Sequence, residues 1–175
     1  MAVLVEGISV ITRISAIVER YPGGWIAFCD NAPNRTLCAD SNLARVGFMS
    51  PNDVASFVQE LEKRGLVFVA NGVTQDIAVV DQQGGFTANC NWAVFRFATL
   101  DDKRVSVCTA QGDTTTILNL PDGWQYEGSL SQSFGFVPNE SVDRTLKLLR
   151  RDPGLDTYYN TLEDAVMYTG RTNGR

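Results

Sequence analysis

The sequence predicts an α+β fold, in which an antiparallel or mixed sheet carries two main amphipathic helices on one face. Two segments repeat apolar residues at helical spacing, and several β-branched segments are separated by turn residues. The chain has 175 residues, of which 44% are hydrophobic and 10% aromatic. This composition is sufficient for one hydrophobic core, and no linker-like segment interrupts it, so we predict a single domain over residues 1–175.

The segment from Ser50 to Leu66 has the clearest helical pattern. Ser50 is a favoured N-cap, Pro51 suits the first helical position, and Asp53 has the spacing of a capping box. Apolar residues then follow on one helical face, at Val54, Phe57, Val58 and Leu61. Gly65 can adopt the left-handed conformation that ends a helix, which places Leu66 against the last turn in a Schellman motif.

Four shorter segments precede this helix. The β-branched residues of Val3 to Thr12 predict a first strand. The apolar spacing from Ile14 to Tyr21 then favours a short helix, with continuation of the strand as the alternative. Trp25 to Cys29 is a candidate second strand, and Asp40-Ser41-Asn42 predicts a turn between two short extended pieces.

The middle of the chain predicts mainly strands. Asn71-Gly72 between Leu66–Ala70 and Val73–Asp81 is a strong hairpin signal, although the loop could instead simply end one strand. The glycines and amides of Asp81 to Asn91 predict a long connecting loop. Three segments then predict an antiparallel meander, at Trp92 to Leu100, Val105 to Ala110 and Thr114 to Leu120.

Near the end of the chain, Val142, Leu146 and Leu149 predict a second amphipathic helix that Pro153-Gly154 ends. The remainder, Leu155 to Tyr168, is compatible with a helix or a strand, and its β-branched and aromatic residues favour a strand.

Residues 47–66 and 135–155 also resemble each other weakly. A duplicated unit of strand and helix would explain this likeness, but we favour generic cap chemistry as the explanation, because only two copies are visible.

The composition excludes several classes of function. The chain has no histidine, so Ser-His and Cys-His nucleophile pairs and the commonest zinc ligand are missing. Three kinds of catalytic chemistry stay open, namely a carboxylate pair, a metal bound by Asp and Glu, and a Cys activated by a cation. The formal charge of −5, with few clustered Lys or Arg residues, disfavours nucleic-acid binding.

The start of the sequence, MAVLVEGISV, lacks the pattern of a signal peptide, and no apolar run is long enough to cross a bilayer. We therefore expect a soluble cytoplasmic protein without membrane association. The four cysteines are too irregularly spaced for a CxxC motif. We interpret them as small buried hydrophobic residues, with a disulfide as the alternative if the protein is exported.

The loop from Asp81 to Trp92 contains the candidate binding residues, which are Asp81, Gln83, Cys90 and Trp92. Asp81 could bind a ligand or cation, but capping a turn is the commoner role of such a residue. Cys90 is the cysteine expected to be most accessible, and Trp92 could anchor a partner or pack in the core. No catalytic residue, metal ligand or cofactor is predicted.

These observations favour a non-catalytic protein-binding module of the inhibitor or immunity type, in a bacterial-like cytoplasmic setting. The expected partner is another protein, and a homo-oligomer stays open. One alternative is a small-ligand receptor or carboxylate-based enzyme that uses the loop from Asp81 to Trp92. Another alternative is a structural subunit of a larger assembly, which a large exposed apolar patch would indicate.

Overall fold

The structure of the protein is a computed structural model that describes residues 1–114, 117–134, 146–152, 155–160 and 165–170. Within these ranges the helices are α1 (Ile14–Arg20), α2 (Gly24–Asp30), α3 (Pro51–Lys63) and α4 (Leu130–Phe134). The strands are β1 (Ala2–Val5), β2 (Ile8–Arg13), β3 (Cys38–Ala39), β4 (Leu43–Phe48), β5 (Val69–Ala70), β6 (Val73–Thr74), β7 (Ile77–Asp81), β8 (Gly85–Phe86), β9 (Ala93–Leu100), β10 (Lys103–Ala110), β11 (Leu118–Asn119), β12 (Leu146–Asp152), β13 (Leu155–Asn160) and β14 (Ala165–Gly170). The predicted α+β fold class is confirmed.

A five-stranded antiparallel sheet, in the order β3-β4-β2-β7-β8, forms the middle layer. Alternate residues of its long strands contribute to two different cores, because successive side chains of a strand point to opposite faces. Val10 and Val79 pack with α1, α2 and α3 on one face, whereas Ile11 and Ala78 pack against the second sheet on the other. Burial on both faces explains why β2, β4 and β7 are mostly apolar or β-branched, with buried polar exceptions such as Ser9 and Arg45.

The second sheet has four strands in the order β11-β1-β10-β9. β1 pairs antiparallel with β10 and parallel with β11. The predicted meander is therefore correct for β9 and β10 but wrong for the third segment. Among the described residues of that segment, which exclude 115–116, the strand is Leu118–Asn119, and it pairs with β1 because β1 already occupies the edge of β10.

The predicted first strand is divided at Glu6-Gly7, where the chain leaves one sheet and enters the other. Gly7 has a φ of 56°, and a Cβ atom there would lie 2.3 Å from the backbone oxygen of Phe48. A residue with a side chain would be strained by both the left-handed backbone and this close contact. Gly7 therefore allows β1 and β2 to belong to different layers.

The helix predicted after Ser50 is confirmed as α3. Ser50 Oγ accepts a hydrogen bond from the backbone N–H of Asn52 at 3.2 Å. At the other end the N–H of Gly65 donates to Glu62, and the N–H of Leu66 donates to Leu61 at 3.2 Å. These are the two hydrogen bonds of a Schellman motif, and Gly65 has the required positive φ of 98°.

The short helix predicted from Ile14 is confirmed as α1, but the strand predicted at Trp25 to Cys29 is wrong. These residues lie in helix α2, which starts after Gly23. The indole of Trp25 stacks on Phe28 with ring centroids 5.7 Å apart, and Phe28 contacts Tyr21 edge to face at 5.5 Å. Tertiary contact with the end of α1 thus overrides the β propensity of this aromatic segment.

The turn at Asp40-Ser41-Asn42 is confirmed between β3 and β4. The Asn71-Gly72 hairpin is also confirmed, but it joins only the two-residue strands β5 and β6, since β7 pairs with β2 instead. The predicted long loop after Asp81 contains strand β8, which folds back on β7. This loop is therefore shorter than its glycine and amide content indicates.

The second amphipathic helix, predicted from Val142 to Leu149, is wrong over its described part. Leu146–Asp152 is strand β12, and it pairs antiparallel with β13, which pairs in turn with β14. Hydrogen bonding to an aromatic and β-branched neighbour outweighs the helical spacing here. The preference for strand over helix in Leu155 to Tyr168 is confirmed by β13 and β14, and residues 161–164 between them lie outside the described residues. A duplicated unit is not supported, because the second segment has strand β12 where the first has α3. Residues 135–145 and 153–154 of this prediction lie outside the described residues.

A buried ion pair lies between the two sheets. Oε1 of Glu6 is 3.3 Å from an Nη atom of Arg45, and the two side chains are 2% and 0% exposed. Oε2 of Glu6 accepts hydrogen bonds from the indole N–H of Trp124 at 2.9 Å, and from the backbone N–H and the hydroxyl of Ser131. Gly47 lies so close that a Cβ atom there would be 2.6 Å from Arg45 Nη1. This polar centre connects the corner between β1 and β2 with β4 and the start of α4.

We expect Glu6→Gln to lower the free energy of unfolding by about 3–5 kcal/mol, because a buried guanidinium is then left without a negative charge. Urea unfolding followed by tryptophan fluorescence measures this loss. Glu60→Gln is the matched control, since the Glu60–Arg64 pair is open to solvent, with the Glu60 side chain 51% exposed. Its expected cost is about 0.3–0.5 kcal/mol. Equal losses in the two variants would contradict a special role for the buried pair.

Candidate functional site

A groove of about 680 Å³ lies where the start of α1 meets the ends of the two sheets. We call it the Arg13–Trp92 groove. It combines a cation, an aromatic ring, amides and apolar side chains, and its lining residues are Arg13, Ile14, Ser15, Val18, Glu19, Ser41, Asn42, Leu43, Asn91, Trp92, Ala110 and Gln111. Its volume lies within the range of sites that bind small molecules or short peptide segments.

Backbone hydrogen bonds bring these distant segments together. The N–H of Ile14 donates to the oxygen of Asn42 at 2.9 Å, which fixes the start of α1 against the turn between β3 and β4. The N–H of Gln111 donates to the oxygen of Trp92 at 2.9 Å, where β10 ends beside the start of β9. The groove is therefore built on the ends of ordered elements, which hold its lining residues in place.

The central contact of the groove joins Arg13 and Trp92. The guanidinium carbon of Arg13 lies 5.6 Å from the centroid of the Trp92 ring, within the distance of a cation–π contact. The indole N–H of Trp92 donates to the backbone oxygen of Thr74 at 3.1 Å, which fixes the ring orientation. Arg13 itself is exposed, so its charge is accessible from the groove.

The titratable side chains that line the groove are Arg13 and Glu19. One carboxylate cannot provide the acid and base pair of a glycosidase-like mechanism. In the part of the chain that the structure describes, no three His, Cys, Asp or Glu residues are grouped as metal ligands would be. The arrangement is therefore suited to recognition through charge, ring stacking and hydrogen bonds.

Trp92 is the one sequence-predicted binding residue that lines this groove. Asp81 instead caps a turn, because its Oδ1 accepts hydrogen bonds from the backbone N–H groups of Gln83 at 2.8 Å and Gly84 at 2.9 Å. The structure thus places Asp81 and Gln83 together in the turn between β7 and β8. Burial raises the pKa of Asp81, and these two hydrogen bonds partly oppose that shift.

Cys90 is half-buried and packs at the edge of the core between the sheets. Its neighbour Cys108 is fully buried, and burial raises the pKa of the Cys108 thiol. Cys38 is buried as well, whereas Cys29 is half-buried, and all four cysteines are free thiols. The interpretation as buried small hydrophobic residues therefore describes Cys38 and Cys108 better than Cys29 and Cys90.

Sequence reasoning missed the partners of Trp92. Arg13 lies between the predicted first strand and the predicted short helix, Asn42 belongs to a predicted turn, and Gln111 lies between two predicted strands. No local pattern connects them, because they come from the end of β2 and from two separate turns. The only available signal was that each polar residue directly follows or precedes an apolar strand, where loop residues often contribute to sites.

Comparison of the chain with protein-family models, with curated proteins and with solved structures gives no match. The function must therefore be inferred from the chemistry of the molecule itself. Within the described ranges, no helix has both the length and the apolar character needed to cross a membrane.

The raised pKa of Asp81 predicts a definite dependence of stability on pH. Since the folded-state pKa is above the ordinary value of 3.8, ionisation is less favourable in the folded protein than in the unfolded chain. The contribution of Asp81 to stability is therefore full below pH 3.8 and is lost as the pH rises through the folded-state pKa.

We expect Asp81→Asn to raise the free energy of unfolding at pH 7, because Asn keeps an oxygen for the two N–H groups and carries no charge. Urea unfolding of both proteins between pH 3 and pH 7 tests this expectation. The advantage of the variant should grow as the pH increases. An advantage that is constant, or that shrinks toward neutral pH, would show that the burial of this carboxylate does not govern the effect.

Proposed function

We propose that this protein is a non-catalytic protein-binding module of the inhibitor or immunity type, acting in a bacterial-like cytoplasmic setting. In this proposal the Arg13–Trp92 groove binds an extended segment of the partner. The observation that carries the proposal is the guanidinium of Arg13 over the oriented ring of Trp92, in an open groove rimmed by amides and hydroxyls.

Trp and Arg are the residue types most enriched among the side chains that dominate binding energies at protein interfaces. The hydrogen bond to Thr74 orients the Trp92 ring before any partner arrives, so little side-chain entropy remains to be lost on binding. The ring and the guanidinium therefore provide a preorganised contact surface.

The rest of the rim suits a peptide backbone with an apolar side chain. Asn42, Asn91 and Gln111 are exposed amides that can donate to and accept from peptide groups. Val18 is 62% exposed at the same groove, although it is a large apolar residue. We therefore expect a partner segment that places an apolar side chain against Val18 and an acidic group or backbone carbonyl at Arg13.

The overall charge adds long-range selectivity. The formal charge of −5 favours the approach of a basic partner, as in the electrostatic steering of inhibitors toward their targets. Arg13 then supplies the local positive charge that fixes the orientation of the bound segment. A basic protein with an extended, partly acidic loop satisfies both conditions.

The volume of the groove also supports a second candidate function, namely a receptor for a small ligand. The carboxylate-based enzyme receives less support, because Glu19 is the only carboxylate among the residues that line the groove. The same variants distinguish the two candidates, since they report whether the groove binds a protein or a small molecule.

We expect the wild-type protein to purify from its native cells with a stoichiometric protein partner, and Arg13→Ala to weaken that complex at least about tenfold, as loss of a dominant interface residue does. Titration calorimetry with the purified partner measures the effect. Arg35→Ala is the matched control, because Arg35 is also exposed but does not line the groove.

Equal affinities of the two variants would contradict the proposed binding site. A wild-type protein that purifies alone and turns over a small molecule would contradict the proposed function itself. Binding of a small molecule without turnover, when it is weakened by Arg13→Ala alone, would replace the protein partner with a ligand.

A further inference from the structure

A second cleft, of about 540 Å³, lies between α3 and the segment that follows α2. Its lining residues are Tyr21, Asn31, Pro33, Asn34, Phe48, Asp53, Ser56, Phe57, Glu60, Leu61 and Arg64. We propose that this cleft, which we call the α3 cleft, binds an organic cation, namely an ammonium or guanidinium group carried on an apolar body. It shares no lining residue with the Arg13–Trp92 groove, so this inference stands independently of the proposed function.

Aromatic rings form the apolar part of the cleft. Tyr21 and Phe48 are buried at 5% and 7% exposure, and Phe57 is half-buried beside Phe48 with ring centroids 5.5 Å apart. Their packing holds the rings in place. Aromatic faces attract cations through the ring quadrupole, and clusters of such rings recognise quaternary ammonium groups and methylated lysine.

The protein already uses one of these rings to hold a cation. The guanidinium carbon of its own Arg64 lies 5.3 Å from the centroid of Tyr21, and Arg64 Nε is 3.0 Å from Glu60 Oε1. This arrangement of a cation between an aromatic face and a carboxylate is the chemistry that we assign to the rest of the cleft. Arg64 therefore occupies one end and leaves the end near Phe57 open to a ligand.

The carboxylate at that open end is Asp53. Asp53, Phe57, Glu60 and Arg64 follow the i, i+4, i+7, i+11 spacing of one helical stripe, which faces the cleft. Glu60 is neutralised by Arg64, whereas the carboxylate of Asp53 has no hydrogen bond or ion pair with any residue that the structure describes. The predicted reciprocal bond of a capping box is thus not used, and the cleft keeps one net negative charge.

A ligand with a positive group and an apolar body matches both features. Its body would contact Phe57 and Phe48, and its charge would pair with Asp53. A lysine or arginine side chain of another protein has this chemistry, and so does a free arylalkylamine. The test therefore includes a peptide-like probe and a small-molecule probe.

The experiment is a titration of the ¹⁵N-labelled full chain with phenethylammonium and with N-acetyl-arginine methylamide, followed by amide chemical shifts. We expect saturable shifts at Phe57, Glu60 and Asn31. The neutral analogue 2-phenylethanol should bind at least about threefold more weakly, because it lacks the charge that pairs with Asp53.

Two variants and a matched control localise the effect. We expect Asp53→Asn to weaken binding of the cations about threefold, as loss of an exposed ion pair does. Phe57→Leu should weaken it about fivefold through loss of the cation–π contact. Glu62→Gln makes the same change of charge on α3 outside the cleft and should leave the affinity unchanged.

Binding of the arginine derivative alone would assign the cleft to a side chain of another protein, and binding of the amine alone would assign it to a small molecule. Equal affinity for the neutral alcohol would overturn the proposal. Equal effects of Asp53→Asn and Glu62→Gln, or shifts confined to residues outside the cleft, would overturn it as well. Unfolding temperatures of the three variants verify that each is folded during the titration.

Discussion

The pairing of Glu6 with Arg45 sets where the two sheets of this protein meet. Both charges are buried, so each depends on the other and on the donors from Trp124 and Ser131 that complete the shell of the carboxylate. Glu6 lies at the corner between β1 and β2, and Arg45 lies in β4. Ser131 lies at the start of α4, and Trp124 lies in the segment before it. A single polar centre thus fixes the positions of segments that are far apart in the sequence. Gly47 provides the space that the guanidinium needs.

This arrangement restricts where the protein can bind other molecules. The middle sheet is covered by helices on one side and by the second sheet on the other, so its faces are occupied by core residues. Binding surfaces are left at the ends of strands and beside the helices. Helix α1 connects the two binding surfaces described above. Arg13, the residue before the helix, lines the Arg13–Trp92 groove, and Tyr21, the residue after the helix, lines the α3 cleft. One surface offers a cation to a ligand, and the other offers rings and a carboxylate.

Prediction from the sequence succeeded where the determining interactions are local. Helix α3 was predicted from start to end, because its N-cap and its Schellman motif involve residues within one turn of each other. Prediction failed at Trp25 to Cys29 and at Leu146 to Leu149. In both segments the intrinsic preference of the residues for helix or strand is weak, and contacts with a neighbouring element decide between the two. Of the candidate site residues, Asp81 and Gln83 proved to form a turn.

The α+β class, the boundaries of α3 and the lack of imidazole chemistry can all be read from the amino-acid sequence, because they follow from composition and from contacts between near neighbours. The entry of β1 and β2 into different sheets and the position of Arg13 over Trp92 become visible in the folded chain alone. Both depend on pairing between strands that are distant in sequence. Such pairing is selected by the burial of whole faces and by one buried ion pair, and no local pattern of residues specifies it.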